Sequence, residues 1–186
     1  LAFGTTIDTV PYFDRYIYAS DEYIKKWGAF MSQMTGLKIG VVARGSSTFS
    51  NDKNRSFDLK ALVAQLPKNA SYVVLQKELS NDERAFIDSC DNVIAPGKAL
   101  KTFSDTAAIC THLDRVISVD TGVVHLAGAL GTPTTLVLAY RPDWRWGADG
   151  ETTGWYPNVR LIRQNHTQGW GDAFCNWHMD CLKDFT

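Results

Sequence analysis

Asp120, Thr121, Gly122 and His125 are the residues whose types and spacing best suit chemistry. They follow the short apolar run Val116 to Val119, which reads as a buried strand, and they open what reads as a helix. Thr121 is a good N-cap, because its hydroxyl can accept one of the N–H groups that the first helical turn leaves unpaired. Thr121 and His125 stand four apart and so share a face near the helix start. Gly122 lacks the Cβ that would keep an anion from the backbone. Free amides, the positive end of the helix dipole and two side-chain donors together suit a phosphate or pyrophosphate. The plainer reading of the same residues is a capping threonine, an aspartate that ends a strand, and a surface histidine.

Other residues with suitable chemistry lie elsewhere in the chain. Gly45-Ser46-Ser47 follows an apolar run and could wrap phosphate oxygens with amides and hydroxyls. No Gly-Lys-Ser/Thr follows it, and it is not G-x-G-x-x-G, which argues against a P-loop NTPase and a dinucleotide oxidoreductase. Arg55 and Lys77 are cations suited to a diphosphate, or else solvated surface charges. Asp52 and Asp120 could bond a ribose or orient His125, or simply shape turns. Tyr140, Trp144, Arg145, Trp146, Trp155 and Tyr156 crowd one loop, where they could stack on a sugar or base or pin the loop. Cys175-x-x-His178-x-x-Cys181 lacks a nearby fourth ligand and a usual zinc spacing, so no metal site is expected.

The elements that must position these residues alternate regularly from Leu37 onward. Strands are expected over 38–43, 72–76, 93–95, 116–119, 134–139 and 159–162. Helices are expected over 57–66, 81–90 (capped by Asn81), 104–113 (capped by Ser104 or Asp105) and after Thr121, the last stopped by Gly131 and Pro133. Before them, Ser20-Asp21-Glu22 opens a helix over 23–34, and a closing helix is expected over 173–183. Strand–helix alternation with continuous apolar strands means an α/β fold: a Rossmann-like parallel sheet of about six strands with helices on both faces. The expected division is residues 1–36 as an aromatic N-terminal segment and helix, and 37–186 as the Rossmann-like domain. Such sheets bind ligands at the carboxyl ends of their strands, which selects the loops 44–55, 76–79, 96–103, 120–125 and 140–146.

At 186 residues, 45% hydrophobic and with a formal net charge of −1, the chain reads as an ordinary globular protein. No basic surplus points to nucleic acid, and no apolar run nears the roughly 18 residues that span a bilayer. There is no signal-peptide pattern, and four cysteines are too sparse for a disulfide framework, so a cytoplasmic location is expected. The chain starts at Leu1 without an initiator Met, which suggests that it was cut from something longer. Tyr12, Phe13, Tyr16 and Tyr18 make an aromatic strip near the start, a candidate surface for homo-oligomers.

Residues 118–133 (SVDTGVVHLAGALGTP) resemble the donor-phosphate motif of glycosyltransferase family 9, the heptosyltransferases. Segments 51–56 (NDKNRS), 75–78 (LQKE), 103–108 (FSDTAA) and 142–146 (PDWRW) match the same group in order, and Gly4-Thr5-Thr6 resembles its interdomain segment. The likeness is strongest to relatives attached to tetratricopeptide repeats, in bacterial proteins labelled O-linked N-acetylglucosamine transferase-like. It implies the C-terminal half of a GT-B fold that holds a nucleotide-sugar donor, without metal or other cofactor. Gly45, Ser46, Asp120, Thr121, Gly122 and His125 would then hold the diphosphate, and Lys77 and Arg55 would assist the leaving phosphate. Gln76, Lys98, Phe103, Asp105 and Trp144 would meet the nucleoside or sugar. The acceptor, a glycan, lipopolysaccharide or protein hydroxyl, is left open. The chain departs from the family where Ala43-Arg44-Gly45-Ser46 replaces Trp-Ser/Ala-Gly-Asn. It also departs in having only 36 residues ahead of the domain, too few for the half that carries the catalytic base. The alternative function is a non-catalytic nucleotide-binding or scaffold module.

Overall fold

A computed structural model describes residues 4–6, 9–11, 13–46 and 52–164 of the chain. Six strands form one sheet: β1 (Leu37–Val42), β2 (Ala70–Val74), β3 (Val93–Ile94), β4 (Arg115–Val119), β5 (Thr134–Leu138) and β6 (Val159–Arg163). Every pairing is parallel and the spatial order is β3-β2-β1-β4-β5-β6, the doubly wound arrangement of a Rossmann-like fold. All six strands lie within two residues of the expected spans. The order reverses between β1 and β4, which pair from Ile39↔Arg115 to Val42↔Ser118, so a crevice opens beyond their carboxyl ends.

The helices are α1 (Asp21–Met31), α2 (Asp52–Arg55), α3 (Leu59–Ala64), α4 (Asn81–Asp88), α5 (Phe103–Cys110) and α6 (Gly122–Leu130). α2 is a single turn inside the expected loop 44–55. Strand side chains alternate between two cores, as the pleat requires. Val42, Val73 and Leu75 pack with α1, α5 and α6 through Trp27, Met31, Ile109 and Leu130. Ile39, Val41, Tyr72 and Val74 pack on the other face with Leu59 and Leu62 of α3 and Ile87 of α4. Each such fully buried aliphatic side chain contributes on the order of 2 kcal/mol, so burial on both faces fixes the strand ends from which the loops project.

Two caps differ from expectation. Ser80, not Asn81, caps α4: Glu83 N–H donates to Ser80 Oγ at 3.1 Å while the Glu83 carboxylate takes Ser80 N–H at 2.7 Å. Thr102, not Ser104 or Asp105, caps α5, and Asp105 accepts the Thr102 N–H at 3.0 Å. Thr121 caps α6 and Gly131 ends it in the left-handed region at φ 76°, as the sequence predicts. Before α1, the Tyr16 and Ile17 amides both donate to the Ala129 carbonyl, at 3.0 and 3.1 Å, which lays the N-terminal segment along the end of α6. No helix among the described residues is long and apolar enough to cross a membrane. The expected closing helix over 173–183, with Cys175, His178 and Cys181, lies outside the described residues.

Candidate functional site

The crevice at the strand reversal is a cleft of about 480 Å³. Gly45, Ser46, Arg55, Asp120, Thr121, Gly122 and His125 all line it, so the six expected diphosphate residues and one of the two expected cations meet there. Its floor is the start of α6. Thr121 Oγ1 accepts the Val123 N–H at 3.3 Å, and the Thr121 carbonyl accepts the Val124 N–H at 3.2 Å. The Gly122 N–H has no such partner among the described residues and stands at the positive end of the helix.

One wall is built by Asp52, which is 9% exposed. Its Oδ1 accepts from the Gly45 N–H at 3.1 Å and from Arg55 Nε at 3.0 Å, and its Oδ2 accepts from Ser56 Oγ at 3.0 Å. Arg55 Nη1 in turn donates to the Asp120 carbonyl. A Cβ on residue 45 would fall 2.6 Å from Asp52 Oδ1 and against the Arg55 guanidinium, so a larger residue there would have to push both side-chain ends aside. The sequence admits a ribose contact, a hand in orienting His125 or a turn for Asp52; its contacts, with Gly45, Arg55 and Ser56, are those of a brace under the loop.

His125 is held from two sides. Its ring stacks on Trp146 with centroids 5.1 Å apart and planes 19° from parallel, and its Nδ1 lies 3.0 Å from Tyr156 Oη. Burial lowers its pKa, opposed by the charge of Asp120, so the neutral ring is favoured near neutral pH. The opposite wall carries Arg141, Asp143 and Arg145. Asp143 Oδ1 takes both the Arg145 N–H at 3.0 Å and Arg145 Nη1 at 2.7 Å, bonds that hold its carboxyl below the ordinary range. Arg163 fixes this wall from behind: its guanidinium donates to the carbonyls of Trp146, Gly147, Asp149 and Gly150 at 2.5 to 3.1 Å. No sequence signal marks Arg163, because its partners are carbonyls 13 to 17 residues away.

An adjoining cleft of about 370 Å³ shares Gly45, Ser46 and Thr121 and adds Gln76, Lys77 and Phe103. Phe103 is 62% exposed and lies over Gly122, its Cζ 3.0 Å from where a Cβ would stand. The Gln76 amide braces the cleft, accepting from the Ala43 N–H at 2.7 Å and donating to Glu83 Oε1 at 3.0 Å. Arg44, which departs from the family pattern, forks onto both Glu83 oxygens at 2.9 Å.

Three expected contact residues are placed elsewhere. Lys98 lines a separate cleft with Lys77, Arg84 and Lys101. Trp144 is 72% exposed, edge-on to Trp155 with the Arg145 guanidinium over its ring, and lines neither of the first two clefts. Asp105 is 1% exposed and faces inward: it accepts from Lys26 Nζ at 2.5 Å, Trp27 Nε1 at 3.0 Å and the amides of Lys101 and Thr102 at 3.0 Å. That carboxylate ties α1 to the start of α5, which leaves it no edge for a nucleoside.

A solved structure shares this architecture, the crystal structure of the glycosyl transferase family 9 from Veillonella parvula DSM 2008, at a TM-score of 0.57 and 11% identity. The alignment covers 87% of this chain and 46% of that one, so the chain spans about half the length of that structure. At that identity the likeness shows the fold. No curated protein matches the chain. The profile of glycosyltransferase family 9 (heptosyltransferase) matches residues 62–169, more than half of the sequence and including the Thr121–His125 turn. The chain therefore belongs to glycosyltransferase family 9.

Proposed function

We propose that this chain is the donor-binding half of a glycosyltransferase that moves a sugar from a nucleotide-diphosphate sugar to an acceptor hydroxyl. The observation that carries the reading is the start of α6: a helix N-terminus whose Gly122 amide opens onto the 480 Å³ cleft at the strand reversal, with His125 and Arg55 on its rim. The diphosphate lies against Thr121 and Gly122. The nucleoside extends toward Phe103 and Gln76, and the sugar toward Arg141 and Arg145. When the sugar–phosphate bond breaks, charge gathers on the departing diphosphate. Arg55, the helix N-terminus and an N–H of His125 stabilise it there without a metal, with the charge of Lys77 added from the adjoining cleft. The catalytic base and the acceptor site belong to a further part of the protein. A kinship with tetratricopeptide-repeat glycosyltransferases, a cytoplasmic location and self-association through the exposed Phe13, Tyr16 and Tyr18 are parts of the same proposal.

Calorimetry against ADP-, UDP- and GDP-sugars tests it. Saturable binding to one of them, competed by the matching nucleotide diphosphate and unchanged by a chelator, is expected. No saturable heat with any donor would overturn the reading and leave a scaffold module.

A further inference from the structure

His125 and Tyr156 are 31 residues apart in sequence, yet Tyr156 Oη lies 3.0 Å from His125 Nδ1. The approach is built into α6. Gly128 stands one turn after His125, and a Cβ there would fall 2.7 Å from the Tyr156 ring, so a glycine at that position admits the phenol to the helix. Trp146 covers one face of the imidazole, and its ring centroid lies 6.4 Å from that of Tyr156. The N-terminal segment is tied to the end of the same helix, the Tyr16 and Ile17 amides donating to the Ala129 carbonyl. With Nδ1 engaged and one face covered, Nε2 is the ring nitrogen left to the cleft. The charged groups acting on the ring are Asp120, Asp143 and Arg145.

We infer that Tyr156 is the positioning residue of this cleft, donating to Nδ1 so that His125 keeps its proton on Nε2 and presents a hydrogen-bond donor to an anionic ligand. A neutral imidazole donates from one nitrogen only, and a donor bonded to Nδ1 excludes the tautomer that points a lone pair at a phosphate oxygen. Burial pushes the Tyr156 phenol upward, so it stays protonated and able to donate. The role rests on the diphosphate reading of the cleft for its purpose, but not for its test.

Nitrogen-15 spectra of the ring, assigned by loss of the resonance pair in His125→Gln, read the tautomer without any ligand. The wild type is expected to show a protonated Nε2 and an unprotonated Nδ1 at neutral pH, with no averaging between them. Tyr156→Phe keeps the ring on Gly128 and Trp146 but deletes the hydroxyl. It should give averaged shifts and weaken binding of inorganic pyrophosphate about five- to tenfold, the scale of one polar contact. Gly128→Ala, which pushes the phenol away, should do the same. A wild-type proton on Nδ1, or a Tyr156→Phe spectrum identical to the wild type, overturns the role. If Tyr156→Phe fails to fold, the wild-type spectrum and Gly128→Ala decide it, and averaged wild-type shifts overturn it. If the wild type binds neither pyrophosphate nor any nucleotide diphosphate, the functional reading falls while the tautomer spectrum still decides this one.

Discussion

The Arg55 guanidinium donates to the main-chain carbonyl of Asp120, joining the loop that leaves β1 to the end of β4. These are the two strands between which the sheet order reverses, so the bond spans the lips of the cleft. Asp52 holds the other side of the same guanidinium at 3.0 Å. Because Asp52 also takes the Gly45 N–H, one carboxylate places the loop, the cation and, through Arg55, the strand end that precedes Thr121. A charged fork is suited to such a bridge because it donates in two directions at once.

Arg55→Lys should therefore weaken nucleotide-diphosphate binding by about tenfold although the charge is retained, since an ammonium does not reproduce the planar fork. Gly45→Ala should lose more, because its Cβ would fall 2.6 Å from Asp52 Oδ1 and displace Arg55. Titration calorimetry with a nucleotide diphosphate checks both. Unchanged affinity in Arg55→Lys would make the guanidinium a strut with no part in binding.

Asp105→Ala is a stability variant. It strips a buried acceptor from Trp27 Nε1 and from the Lys101 and Thr102 amides. Leaving such donors unpaired costs about 3 kcal/mol in all, since part of the loss is recovered by water near the half-exposed Lys26. Denaturant unfolding should show a lower midpoint, while donor affinity falls only through the unfolded fraction. A variant as stable as the wild type but weakened in binding would restore Asp105 to the nucleoside site.

Glu83 sets an acid limit on stability. Burial opposes its charge, but Arg44, the Ser80 N–H and Gln76 outweigh that and bring its pKa from 4.5 to about 2. The folded value lies below the unfolded one, so the unfolded state binds the proton first as pH falls. The stabilisation is full above about pH 4.5 and disappears through pH 2, and after allowing for solvent screening it amounts to about 2 kcal/mol. Glu83→Gln should be less stable at pH 7 and lose less on acidification to pH 3. Thermal melts across that range measure the slope. Parallel pH profiles for the two proteins would exclude the role.

The strands and α6 were legible because their signals are local: an apolar run, a capping threonine, a glycine stop. Ser80 and Thr102 carried a readable signal too, since each stands three residues before an acid, Glu83 and Asp105, and that spacing marks a helix start more firmly than residue type alone. Asp105 reads as a ligand residue only through the likeness of 103–108 to the family, since nothing in its local sequence tells a ligand carboxylate from a buried one. Only the packing of α1 shows that Lys26 and Trp27 reach it, 79 and 78 residues away in sequence. Arg163 was hidden for the same reason, and Tyr156 was legible only as one of the crowded loop aromatics, without its partner His125. Arg163 meets its carbonyls only once β6 closes on the loop before it, and Tyr156 meets His125 only once that loop lies against α6.

Phe103 offers a way to separate the nucleoside from the diphosphate. It is the exposed aromatic lying over Gly122, on the border between the two clefts, and its face is open to stack on a base or ribose. Phe103→Ala should weaken a nucleotide diphosphate about tenfold, within the 1–3 kcal/mol typical of lost base stacking. Inorganic pyrophosphate, which has no base, should bind as before or slightly better, since the Gly122 amide would be more open. Competition measurements with both ligands on one preparation give the ratio directly. Equal weakening of the two would mean that Phe103 shapes the helix start instead of meeting the nucleoside, and the nucleoside would then have to lie elsewhere along the cleft.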